Sequence, residues 1–210
     1  MKKIILVLLA LVPCFAKAQL TKGMTFLGGS LSTSAQKTDI NSPFAMNPSK
    51  TSSFSLSPSI GVMTSEKMAW GVALNYGSSS YSQDTFLPIN GTVVNSKTDN
   101  SGFGISPFGR YYMPLSSAVY FAIQGTASAV RGTTKTTQGS SSSENSYYTL
   151  GLNFKPVLVF FPTPKWAVEG SIGSLGYSYN RYLPDVQSTT SFGLAWGSLS
   201  FGVSYFFVKK

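Results

Sequence analysis

A proline recurs along this chain at positions 58, 107 and 156, both intervals being 49 residues. Each sits in the same kind of unit: SLSPSIGVMTSEKMAWGVAL, GISPFGRYYMPLSSAVYFAI and NFKPVLVFFPTPKWAVEGSI. Every unit reads as an alternating apolar strand, a short turn and a second alternating strand. A long polar stretch then leads to the next unit. Equal periods of this kind describe a β-barrel assembled from hairpins.

The first 18 residues stand apart from the repeat. Lys2 and Lys3 precede an apolar run over residues 4–15, and Ala16 and Ala18 supply small residues before Gln19. This reads as a secretory signal with cleavage expected after Ala18. The run falls short of the ~20 apolar residues of a membrane-spanning helix. Pro13 ahead of Cys14 argues against lipidation of that cysteine. Residues 19–210 then form one barrel domain with no cysteine, hence with neither disulfide framework nor thiol nucleophile. They keep 13 of the 16 basic side chains and all 7 acidic ones, a formal charge of +6. The basic residues are scattered singly (Lys22, Lys37, Lys50, Lys67, Lys97, Arg131, Lys135) and form no stripe, which argues against a nucleic-acid partner.

Alternation assigns the faces, because successive strand side chains point to opposite sides. Near the C-terminus Gly197, Leu199, Phe201, Val203, Tyr205 and Phe207 share one face, and Trp196, Ser198, Ser200, Gly202 and Ser204 the other. Around Pro58, Phe54, Leu56, Ile60 and Val62 oppose Ser53, Ser55, Ser57, Ser59 and Gly61. The third strand sets Trp70, Val72, Leu74 and Tyr76 against Ala69, Gly71, Ala73 and Asn75. The sixth sets Tyr148, Leu150, Leu152, Phe154 and Leu158 against Thr149, Gly151, Asn153, Lys155 and Val157. Weaker patterns near residues 23–34, 102–113, 118–130 and 166–178 bring the total to eight strands. The space inside eight strands only just admits side chains. So many rows of Leu, Phe, Trp and Tyr cannot all point inward. The expected arrangement is apolar outward and small or polar inward, as in a transmembrane barrel, whose closure satisfies the backbone in hydrocarbon.

Short connections are expected near Ser65-Glu66-Lys67, Leu115-Ser116 and Thr163-Pro164-Lys165. Long polar loops are expected over residues 36–52, 80–101 (with an Asn90-Gly91 turn signal), 133–145 and 180–188, and the Ser/Thr-rich third is expected to stay mobile. A fourth repeat would place its turn near residue 210, so the last strand should pair with the first. The prolines fit a closed sheet poorly, since proline removes a ladder donor. A bulge or an early end of pairing is expected at each.

The stretches SPFGRYYMPLSSAVYF, KPVLVFFPTPKWAVEGSIGSLGYSY and SFGLAWGSLSFGVSYFF resemble the outer membrane protein β-barrel domain family, small eight-stranded barrels of the OmpA/OmpX kind. The resemblance spans residues 19–210. It implies an antiparallel up-and-down barrel in the outer membrane of a Gram-negative cell, with short periplasmic turns and long extracellular loops. It also implies outer-membrane lipid and the barrel-assembly machinery as partners, with any extracellular ligand or surface partner met by the loops. A monomer is expected. The terminal aromatic strand is similar to the signal that assembly machinery reads, although Val208-Lys209-Lys210 follows Phe207. The family brings no catalytic motif.

Chemistry is not expected of this chain. It has no histidine, the usual general base of a hydrolase, and lacks most metal-ligand sets. No cofactor is expected. The sharpest constellation is a set of inward polar residues: Arg110, Lys155 and Glu169, with Asn75, Gln124 and Asn153. Arg110 stands three residues past its repeat proline and Glu169 thirteen past its own, which places them at one depth if each turn holds three residues. They are expected to pair as an ionic plug across the lumen, with Lys155 about one layer higher. Satisfaction of buried charge is the simpler role, and a gated ion path the sharper one. Trp70, Trp166, Tyr111, Phe160 and Phe161 are expected to form an interfacial girdle beside the short turns. A structural or surface-interaction role follows, with a narrow pore or a secreted lipocalin-like binder of hydrophobic ligands as alternatives.

Overall fold

The computed structural model describes residues 20–38, 41–42, 45–46, 49–87, 92–183 and 187–207, with backbone alone at 41–42, 45–46, 85–87, 92–93, 187 and 195–199. The expected signal segment, the Asn90-Gly91 turn and the side chains of Trp196 and Leu199 lie outside the described residues. Ten strands follow one another: β1 Thr25–Thr38, β2 Asn41–Ser42, β3 Ala45–Met46, β4 Ser49–Met63, β5 Met68–Leu87, β6 Thr92–Pro114, β7 Val119–Gln138, β8 Ser141–Phe160, β9 Trp166–Leu183 and β10 Gln187–Phe207. β2 and β3 form a small separate ladder. The other eight close into an antiparallel barrel in the order β1-β4-β5-β6-β7-β8-β9-β10 and back to β1. Closure runs from Thr25↔Phe207 to Ser30↔Gly202.

The turns form where the sequence places them, each with a hydroxyl helping to close it. Ser65 Oγ accepts from the Lys67 amide at 3.3 Å, and Ser116 Oγ from the Val119 amide at 3.2 Å. Thr163 Oγ1 accepts from the Trp166 amide at 3.1 Å. At the opposite end the long polar segments are largely not loops. β7 and β8 stay paired through Gln138↔Ser141, and Gly139, at φ 58°, makes the turn between them. Segment 133–145, expected as a long polar loop, is thus a hairpin rich in Ser and Thr. Segment 80–101 is likewise ladder as far as Leu87↔Thr92. Strands of 20 residues rise roughly 50 Å at the usual tilt, about twice the ~25 Å apolar band of a membrane barrel. The loop end therefore forms a polar wall standing clear of that band.

The band itself is on the outside. Ile60, Phe103, Leu150, Phe154, Leu158 and Phe201 all project outward, Phe201 with 64% of its surface exposed. Inward positions are mostly Ser, Gly, Ala, Asn and Thr along the upper lumen. The barrel thus carries its large apolar side chains without rather than within, the arrangement expected of a transmembrane barrel.

Two features depart from the expected pattern. At Pro58 and Pro107 neither a bulge nor an end of pairing occurs. Each proline keeps a partner on one neighbouring strand, Gly29 and Val72 respectively. The ladder to the other neighbour merely skips two residues and resumes in the same register. Only at Pro156 does the register shift, between Phe154↔Leu175 and Val157↔Ser171. The extra residue lies on β9, where Gly173 has φ 72°. A glycine in the left-handed region is what such a bulge requires. It reverses the alternation of β9: Val168 and Ile172 face outward below it, Leu175 and Tyr177 above it. β10 follows with a shift between Ala195 and Leu199. This reversal is why residues 166–178 read so weakly as a strand.

The second departure is the lumen near the turns, which is not small and polar. Phe26, Phe108, Tyr112, Tyr120, Phe161 and Phe206 are buried there with Met24 and Met63. Phe26 stacks on Phe206 at 5.0 Å, Phe206 meets Phe161 at 5.1 Å, and Tyr120 sets its edge to Phe161 at 5.6 Å. The wall makes room for these rings with glycine: a Cβ on Gly61 would strike Phe26, and one on Gly71 would strike Phe108. The barrel is thus stoppered at its turn end by an apolar plug.

Candidate lumen site

Directly above the plug lies the one strongly buried group of charges among the described residues. β6 carries it: with even residues inward, Ser106, Phe108, Arg110 and Tyr112 form a single file into the lumen, all buried. The Arg110 guanidinium is fully engaged. Its Nη1 donates to Glu169 Oε1 at 2.9 Å and to the Tyr112 hydroxyl at 3.1 Å. Its Nε and Nη2 both donate to Gln124 Oε1, at 3.0 and 2.6 Å. Phe108 and Tyr112 set their rings 5.8 and 5.6 Å from its Cζ. Glu169 Oε1 accepts a second bond from Ser204 Oγ at 2.6 Å, and Gln124 Nε2 donates onward to Thr126 Oγ1 at 3.1 Å. The group spans the lumen from β6 and β7 to β9 and β10.

Burying one unpaired charge in this setting costs several kcal/mol, which a hydrogen-bonded opposite charge largely offsets. Arg110 is only 6% exposed, so the pair's geometry decides whether this layer is tolerable. Here it is complete: among the described residues no buried side-chain polar atom lacks a partner.

Of the six polar residues picked out from the sequence, the structure joins Arg110, Glu169 and Gln124 in one bonded group. Asn75 lies on a separate rung, accepting from Ser57 Oγ at 3.1 Å and donating to Ser106 Oγ at 2.6 Å. Lys155 and Asn153 line the cavity over the pair. Lys155 takes no part in an ion pair or hydrogen bond with another described residue. The cavity measures about 210 Å³. Two larger spaces of about 430 and 460 Å³ neighbour it higher in the lumen, one also lined by Ser57 and Asn75 and the other by Asn153. The lumen is therefore a cup, open towards the loops and closed towards the turns.

The girdle residues divide. Trp70, Trp166 and Tyr111 face outward and are about half exposed, Trp166 packing on Tyr205 at 5.0 Å, and Phe160 is half-buried. Phe161 does not belong with them. It is 1% exposed and sits in the plug, on the inward row of Val157 and Val159. Tyr112 and Ser204 belong to the charged group although nothing marked them beforehand. A signal existed: the doublets Tyr111-Tyr112, Phe160-Phe161 and Phe206-Phe207 all stand at the turn end, and each sends one ring in and one out.

The described residues hold no cluster of three or more His, Cys, Asp or Glu that could bind a metal ion. The carboxylate of the layer, Glu169, is committed to Arg110 and Ser204.

No protein-family model matches the sequence, and no curated protein matches it. Among solved structures the chain is similar to Ail, the attachment invasion locus protein of Yersinia pestis. Identity is 15%, over 89% of this chain and 100% of that one, with a TM-score of 0.44. It is similar to the outer membrane protein OprG of Pseudomonas aeruginosa at 14% identity, over 92% and 99% of the two chains, with a TM-score of 0.44. It is also similar to the translocator domain of the autotransporter NalP from Neisseria meningitidis. That match has 16% identity, over 92% and 64%, with a TM-score of 0.44. At these identities the likeness is one of chain course alone.

Proposed function

We propose that this chain is a non-catalytic integral outer-membrane protein whose barrel anchors a polar wall outside the cell, there to meet a surface partner or ligand. The observation that carries the reading is the outward band of large apolar side chains on a sheet with no free edge. A lipocalin-like protein would hold that band within and wet its Ser and Asn rows outside. The opposite arrangement supports membrane insertion. The ten-odd residues by which the strand pairs β5–β6 and β7–β8 overrun the band, rich in Ser, Thr and Asn on both faces, are what the wall offers to its surroundings.

A steady pore is the weaker reading, because the aromatic plug and the Arg110–Glu169 layer lie in series across the lumen. Cell fractionation and gel mobility test the proposal together. The protein is expected to sediment with outer membranes and to migrate differently when heated in detergent. Recovery in a soluble fraction without detergent would overturn it. In a planar bilayer the intact protein is expected to carry no large, steady current.

A further inference from the structure

The Arg110–Glu169 pair accounts for two of the three lumen charges among the described residues. The third, Lys155, is left in the cup with no counter-charge of its own. It pairs laterally with Gln124 in the β7–β8 ladder, beside the residue that receives Arg110. Opposite it on β9 is the bulge, where Gly173 offers no side chain to fill the space. The charges facing it are Arg110 from β6 and Glu169 from β9, and the carboxylate is already taken by Arg110 and Ser204. The cup floor therefore carries a net positive charge. Low-dielectric walls concentrate the field of such a charge at the mouth, which favours anions. Around Lys155 stand neutral polar groups: the Ser171 and Ser200 hydroxyls, bonded to each other at 2.6 Å, the Asn153 amide and the Thr126 hydroxyl. An engineered cavity of ~150 Å³ admits a benzene ring, so about 210 Å³ holds a molecule of a few carbons with oxygen at each end.

We propose that this cup is a binding site for a small carboxylate, entering from the loop end and held by the Lys155 ammonium with hydroxyl and amide donors around it. A chloride ion would meet the charge but draw less on the surrounding hydroxyl and amide groups than two carboxylate oxygens would. A hydrophobic ligand would leave Lys155 without a counter-charge. The inference rests on the closed floor and open mouth of the barrel rather than on its placement in a membrane.

The test uses the full barrel refolded in detergent micelles, its lysines carrying ¹³C-methyl labels, titrated with succinate, acetate, inorganic phosphate, chloride and neutral acetamide. Succinate and acetate are expected to move the Lys155 signal saturably, while chloride and acetamide do not. Lys155→Met should weaken succinate binding, read by calorimetry, at least tenfold while the heat-dependent gel shift persists. Failure of the membrane reading would appear in fractionation, and failure of this one only in the titration. The proposal is overturned by a Lys155 signal that ignores succinate, by an equal response to chloride, by a tighter response to phosphate, or by undiminished binding in Lys155→Met.

Discussion

Arg110 shows how much one inward residue can decide. Its guanidinium makes four hydrogen bonds, to Glu169, Gln124 and Tyr112, which reach it from three different strands. Removing either charge strands the other in a nearly dry layer. Arg110→Met or Glu169→Met alone should cost about 3–5 kcal/mol. The double variant should lose clearly less than the sum, since no lone charge remains. Urea unfolding of the refolded barrel in micelles, carried out as a double-mutant cycle, checks this. The candidate residues were legible because charge on the inward face of a strand is rare. The Arg110–Glu169 pairing was legible as well, from the two positions relative to the repeat prolines; the remaining connections were not, because Asn75 and Asn153 carry the same polar signature as Gln124 yet sit on other rungs.

At the scale of elements, β9 is the informative strand. Its sequence contains two apolar phases, Val168 and Ile172 and then Leu175 and Tyr177, joined at Gly173. Two-residue alternation permits such a switch only where one residue drops out of the ladder. The bulge faces the Pro156 gap, so the missing amide and the extra residue accommodate each other on neighbouring strands. Gly173→Ala should cost about 1–2 kcal/mol, the penalty of a side chain in the left-handed region. A drop of that size in the urea midpoint, with an unchanged heat shift, is the expected result. Pro58 and Pro107 have no such partner, and the repeated proline is thus one sequence signal with two structural outcomes. The polar hairpins carry a similar lesson. Segment 133–145 lacks apolar residues and reads as a loop, yet its backbone continues the ladder begun below it, which needs no buried side chains.

For the whole molecule the decisive quantity is which way the apolar rows face. Phe201 lies mid-strand on the outer face, well away from both ends of β10. Phe201→Arg should destabilise the membrane-inserted barrel by about 2–4 kcal/mol and reduce the heat-shifted, assembled fraction. Wild-type assembly of that variant would contradict an outward face in lipid. The same cylinder is built in layers along its axis. An aromatic plug, a charged layer and a polar cup succeed one another from turns to loops, and each limits what the lumen can pass or hold.

The sequence alone determined the eight strands of the barrel, the outward face of the large apolar rows and the closing of the last strand on the first. Those properties follow from a two-residue period and a chain-length repeat, both local and countable. The tertiary structure decided what else meets across the axis: Phe26 with Phe206, Gln124 and Tyr112 with Arg110, and Lys155 standing apart from the ion pair. Such contacts depend on how far each strand slides past the next around a closed ring. That offset is set by turns, by one glycine bulge and by closure itself, and no single stretch of sequence records it.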